Sequence, residues 1–169
     1  SNTINNNQKF NINAFLNEQR KDAINFSDFI ENIQLSHEDL RNNAQLGFVQ
    51  GMTKIINDNL NQLTLYQRPL HCTDKKRETM YIRDEDAWNK EKEKAKKKIF
   101  EGIQELSRKG IQELMDWKNI NPDYNNMDSN FSKFCLAVQK ETLAGENREK
   151  YYKKVLNNIQ DTTHLTSND

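Results

Sequence analysis

The spacing of apolar residues changes twice along this chain, and the two changes limit the folds open to it. Leu40, Ala44, Phe48, Met52, Ile55, Ile56, Leu60 and Leu63 are spaced by threes and fours apart from the adjacent Ile55 and Ile56, which marks one face of a helix. Arg68-Pro69 stops any helix. Leu70 and Cys72 then alternate with His71 and Thr73. After the charged stretch Asp74-Lys75-Lys76-Arg77, Met80 and Ile82 alternate with Thr79, Tyr81 and Arg83. Period two on both sides of a charged turn predicts a β-hairpin over about 68–84. Helical spacing returns with Trp88, Ala95, Ile99, Ile103 and Leu106. A lone hairpin persists only when packed on something else. The expected fold is therefore mainly α, with six or seven helices and one small hairpin docked on them.

The remaining helices are read from caps and breaks. One runs from about Asn13 to Ala23. A short one is capped by Asn25 or Ser27 and covered by Phe26, Phe29, Ile30 and Ile33. Ser36 and Asp39 have capping-box spacing at the start of the third. Asp84 or Asp86 is expected to cap the long helix, which breaks at Gly110. A shorter helix then carries Ile111, Leu114, Met115 and Trp117. Two more carry Phe131, Phe134, Cys135 and Val138, then Tyr151, Tyr152, Val155, Leu156 and Ile159. The polar residues 1–11 read as a disordered lead-in, 12–160 as one domain, and 161–169 as a frayed tail.

Gly47 and Gly51 lie four apart on the apolar stripe. Two glycines cost a helix about 2 kcal/mol against alanine. They mark either a break near Leu46-Gly47 or a face where another helix approaches closely. The second reading is preferred, and it makes Gly47, Phe48, Gly51 and Ile55 candidates for an interface.

Charge narrows the function. The chain holds 25 basic and 25 acidic residues, so it lacks the electrostatic footprint of a typical nucleic-acid binder. Only 67–118 leans basic, with 14 against 11. No apolar run reaches 18 residues and nothing resembles a leader, so no membrane partner is expected. Cys72 and Cys135 are 63 residues apart and read as free thiols in an intracellular, reducing setting.

Each cluster of reactive residues has a plain reading beside a chemical one. His71 is a poor base for Cys72, since strand neighbours point to opposite faces. Cys72 is expected inside and His71 outside. His37, His71, His164, Cys72 and Cys135 are too few and too scattered for zinc, so neither metal nor cofactor is expected. Asp74, Glu78, Asp84, Glu85 and Asp86, with Lys75 and Lys90, could be assembled into a magnesium-dependent nuclease centre, but they match no tight motif. Turn charges and a helix cap account for them. Lys75, Lys76, Arg77 and Arg83 could form a wing that touches phosphates. Lys96, Lys97 and Lys98 could extend that track, although glutamate and lysine three and four apart also suit a solvated helix.

Residues 68–88, from Arg68-Pro69-Leu70-His71-Cys72 through Met80-Tyr81-Ile82-Arg83 to Asp86-Ala87-Trp88, resemble a signature of uncharacterised proteins of large nucleocytoplasmic DNA viruses. Asn13-Ala14-Phe15-Leu16-Asn17-Glu18 with Lys21-Asp22-Ala23-Ile24-Asn25, and Leu46-Gly47-Phe48-Val49-Gln50-Gly51-Met52-Thr53-Lys54-Ile55, are similar to its flanks. Gly145 and Tyr152-Lys153-Lys154-Val155 are similar more loosely. The resemblance implies the C-terminal domain of proteins that carry an N-terminal C₂H₂-like zinc finger. It also implies a viral, DNA-associated context: host cytoplasm, viral factory, nucleus or virion. It implies no activity.

The expectation is a non-enzymatic module that pairs with itself or with another viral or host protein. Direct nucleic-acid binding through 75–83 and 90–98 is the alternative, and a metal-dependent nuclease a remote third.

Overall fold

A computed structural model describes residues 21–120 and 146–165. Five helices and one three-stranded antiparallel sheet are seen among them: α1 (Phe26–Asn32), α2 (His37–Leu46), α3 (Phe48–Gln62), β1 (Leu70–Asp74), β2 (Thr79–Asp84), β3 (Ala87–Asn89), α4 (Lys92–Ile120) and α5 (Glu146–Thr163). The mainly helical class stands. Fewer helices are counted than expected, partly because those placed at Asn13–Ala23 and around Phe131–Val138 fall mostly or wholly outside the described residues. The lead-in and Cys135 fall outside as well.

α2 begins as its sequence requires. The Asp39 amide donates to Ser36 Oγ at 3.0 Å, and the Ser36 amide donates to the Asp39 carboxylate at 2.9 Å. Both glycine readings hold, one at each position. Gly47 ends α2 and opens α3 with φ +86°, a backbone that side chains disfavour. At Gly51 a Cβ would lie 2.5 Å from Asn43 Oδ1 and 2.9 Å from Asn43 Cα, so α2 approaches α3 closely there.

α4 corrects the expected break at Gly110. It runs unbroken for 29 residues, roughly 43 Å at 1.5 Å per residue. Gly110 is buried on the stripe made by Ile99, Ile103, Leu106 and Leu114. The apolar face therefore continues through it, and packing outweighs the roughly 1 kcal/mol propensity cost of one glycine.

The sheet has order β1-β2-β3, with Leu70 opposite Ile82, His71 opposite Tyr81 and Cys72 opposite Met80. Leu70, Cys72, Met80 and Ile82 join the main core with α1, α3, α4 and α5. The third strand corrects the placement of Trp88 on the long helix. Trp88 lies in β3 opposite Arg83. Glu85 and Asp86 both have positive φ, at 50° and 62°, and turn the chain back in two residues, as in tight hairpins. Neither Asp84 nor Asp86 therefore caps α4. His71 is not exposed either: it is fully buried, 5.5 Å from the Trp88 ring. Tyr81, Trp88, Leu65 and Leu165 cover this second face of the sheet.

The expected fraying at the tail is corrected for 161–165. α5 continues to Thr163, His164 bridges to Cys72, and the Leu165 amide donates to the Cys72 carbonyl at 2.8 Å. Leu165 is buried, and that apolar contact fixes the segment.

Candidate functional site

The polar residues around the sheet organise α1, and the logic begins with its length. Seven residues are too few to hold a helix in water. Its N-cap, Asn25, makes no side-chain cap bond. Asp84 supplies the cap from β2: its Oδ1 accepts from the Ser27 amide at 3.1 Å and from Ser27 Oγ at 2.6 Å. Lys98 of α4 donates to Asp84 Oδ2 at 2.6 Å. Asn25 meanwhile holds the strained β2–β3 turn, accepting from the Asp86 amide at 2.9 Å and donating to its carboxylate at 3.0 Å. At the other end of α1, Lys109 donates to the carbonyls of Ile30 at 2.9 Å and Ile33 at 3.2 Å. A carboxylate at the N-terminus and an ammonium at the C-terminus both match the helix dipole.

This clasp sets the charge states. Burial disfavours the Asp84 carboxylate, but hydrogen bonds from Lys98 and from the Ser27 hydroxyl and amide outweigh it, so its pKa is held below the ordinary value. The hydrogen bond to Asp84 raises the pKa of Lys98, against a smaller effect of burial. Burial pushes the Cys72 thiol up, which leaves it a weak nucleophile at neutral pH.

The basic candidates are mostly engaged within the chain. Lys75 reaches Asp161 at 2.9 Å, Arg77 lies 3.7 Å from Asp74, Lys96 reaches Glu149 at 3.3 Å, and Lys98 is bound to Asp84. Arg83 donates to the Ala23 carbonyl. The hairpin tip is thus tied back to α5 instead of projecting as a wing. Of the seven candidates, Lys76, Lys97 and Arg83 have no carboxylate partner among the described residues, and of these three Lys76 and Lys97 are exposed.

The carboxylates imagined as a nuclease centre are split. Asp74 accepts from the Lys76 and Arg77 amides, and Glu78 pairs with Lys92 at 3.3 Å. Asp84 to Asp86 sit at the far end of β2, roughly 17 Å away at 3.3–3.4 Å per strand residue. Among the described residues no group of three or more His, Cys, Asp or Glu could hold a metal ion. No helix there is long and apolar enough to cross a membrane.

The interface candidates also divide. Gly51 and Ile55 are buried inside the chain and are spent on its own packing, which corrects their assignment to an outer face. Gly47 and Phe48 line an open groove of about 530 Å³ at the α2–α3 break, with Leu46, Val49, Tyr151 and Lys154. Leu46 is 43% exposed there. Lys109 is a polar residue the sequence did not single out, since it acts on a segment distant in the chain, and Asn25 and Ser27, expected only as local caps, bond instead to Asp86 and Asp84. No family model, no curated protein and no solved structure matches this chain.

Proposed function

We propose that the domain is a non-enzymatic interaction module that pairs with a second copy of itself through the groove at the α2–α3 break. In the viral, zinc-finger context suggested by the resemblance, such pairing would help to place attached fingers on DNA. The carrying observation is Leu46, a large apolar side chain 43% exposed beside Phe48, Val49 and Tyr151. An exposed large apolar side chain at the mouth of a groove gives a partner's apolar surface a place to be covered, and Lys154 and Asn157 supply a polar rim. The test is multi-angle light scattering across a concentration series. A dimer that forms with concentration, and forms at least tenfold less readily in Leu46→Glu, is the expected result. A strict monomer at high concentration would overturn it.

Direct nucleic-acid binding is the second reading, favoured by the exposed, carboxylate-free Lys76 and Lys97. Two neutralised phosphates set the log–log salt slope on duplex DNA at about −2. Fluorescence anisotropy measures it. A slope of −5 or steeper, or one unchanged in the Lys76→Ala, Lys97→Ala double variant, would show that other cations make the contact.

A further inference from the structure

A cavity of about 130 Å³ lies beneath the hairpin tip, between the first turns of α4 and the last turns of α5. Its floor is apolar, with Met80 and Ile99 at 3% and 1% exposure. One buried polar residue interrupts that lining. Gln160 is 5% exposed, and its Nε2 is sealed from solvent with no hydrogen-bond acceptor. A buried donor left without an acceptor is costly, and few native structures keep one without a use for it.

The rim supplies charge. Lys92, Lys96 and Lys153 line the cavity against Glu78 and Glu93, three cations to two anions. Lys92 is shared with Glu78 at 3.3 Å, and Lys96 with Glu149 at 3.3 Å. Lys153 is exposed and has no carboxylate partner among the described residues. The first turn of α4 also borders the space, at the helix end that favours negative charge.

We propose that this cavity binds a phosphoryl group. The terminal torsion of a glutamine amide is soft, so the Gln160 N–H, sealed in the unliganded chain, is to turn onto an anion oxygen when the ligand enters. Lys153 supplies the uncommitted charge, and Lys92 and Lys96 swing part of the way from their carboxylates. The volume has room for several water-sized groups, each needing roughly 10–15 Å³ of such space. A tetrahedral anion fits that space. The source is either free phosphate or the terminal phosphate of a nucleic-acid strand whose remainder stays outside.

The test is a titration of the ¹⁵N-labelled chain with inorganic phosphate at constant ionic strength, following the Gln160 side-chain NH₂ by NMR. A saturable shift is expected, weakened at least tenfold in both Gln160→Leu and Lys153→Ala. Lys153 is exposed, so its variant keeps the test valid if the buried change unfolds the domain. A matched titration with 5′-phosphorylated and 5′-hydroxyl oligonucleotides separates the sources. Tighter binding of the phosphorylated strand than of free phosphate assigns the strand end, and equal or weaker binding assigns free phosphate. No saturable shift, the same shift with chloride alone, or a shift unaltered in Lys153→Ala would overturn the proposal.

Discussion

Asp84→Ala is expected to lower the unfolding free energy by about 3 kcal/mol, which moves Tm down by roughly 6–12 °C for a chain of this size. Three losses add up. The Ser27 amide and hydroxyl lose their acceptor, and loss of an N-cap costs about 1 kcal/mol. Lys98 loses a 2.6 Å partner, and hydrogen bonds to charged groups contribute about 1.5–3 kcal/mol. The full 3–5 kcal/mol of a broken buried pair does not apply, because the Lys98 side chain is 35% exposed and can turn to water. Asp84→Asn separates the parts. The amide oxygen still caps α1, but the ammonium of Lys98 loses its counter-charge, so about half of the loss should remain. Urea unfolding checks both. A change below about 0.5 kcal/mol in Asp84→Ala, the range of ordinary surface substitutions, would show that α1 does not depend on the clasp.

The same pair fixes the pH dependence. The folded pKa of Asp84 is depressed. Its contribution is therefore complete above the unfolded carboxylate value near 4, and is lost as pH falls through the lower folded value. The folded pKa of Lys98 is raised, so its contribution is complete below the unfolded value near 10.4 and is lost as pH rises through the folded one. The gap between the parent chain and Asp84→Ala should then be flat across neutral pH. It should narrow only in acid, below about pH 4, and in strong alkali. A gap that already closes between pH 5 and 6 would place the titrating group elsewhere.

What could be read in advance follows the range of the interactions. The Ser36 and Asp39 cap, the stop at Arg68-Pro69 and the period-two row of Leu70, Cys72, Met80 and Ile82 all act within a few residues, and the fold keeps them. The β2–β3 turn was hidden because two-residue hairpin turns usually announce themselves by Asn or Gly at positive φ. Here Glu85 and Asp86 take those angles. Their support comes from Asn25, 61 residues away, and no local pattern carries that contact. His71 was placed outside by the alternation rule, which holds for the strand. The rule does not report that Trp88 and Leu165 cover the outer face.

The candidate site was legible in part for the same reason. A stripe containing Gly47, Phe48, Gly51 and Ile55 signals a helix that must pack closely. It does not say whether the partner is another chain or this one. Most of it meets α2 and α5, and only the end at Leu46 to Val49 reaches the surface groove. The basic run likewise gave positions and not pairings. Lys75 and Lys96 are met by Asp161 and Glu149 of α5, about 50–90 residues further along the chain.

Tyr152→Ala should be the most damaging single change near that groove, at about 4 kcal/mol. The residue is 6% exposed. Its ring stacks on Phe48 of α3, with centroids 5.9 Å apart, and meets Phe100 of α4 edge-on at 5.5 Å. It thus joins three helices. Truncating a buried aromatic costs about 3–5 kcal/mol, and each lost ring pair removes a further 0.5–1.5 kcal/mol or so beyond area. Partial collapse of the site keeps the total near the middle of the truncation range. Tyr152→Phe retains both ring pairs and should cost about 1 kcal/mol or less. Equal losses in the two variants would mean that the hydroxyl, not the ring, holds α5. The comparison with Leu46→Glu also separates fold from interface. Leu46 is partly exposed, so its change should weaken pairing with little effect on stability. Tyr152→Ala removes the support behind Phe48, a wall of the groove, and should weaken pairing as well as stability. If Tyr152→Ala pairs normally at a temperature where it remains folded, Phe48 is not part of the contact surface.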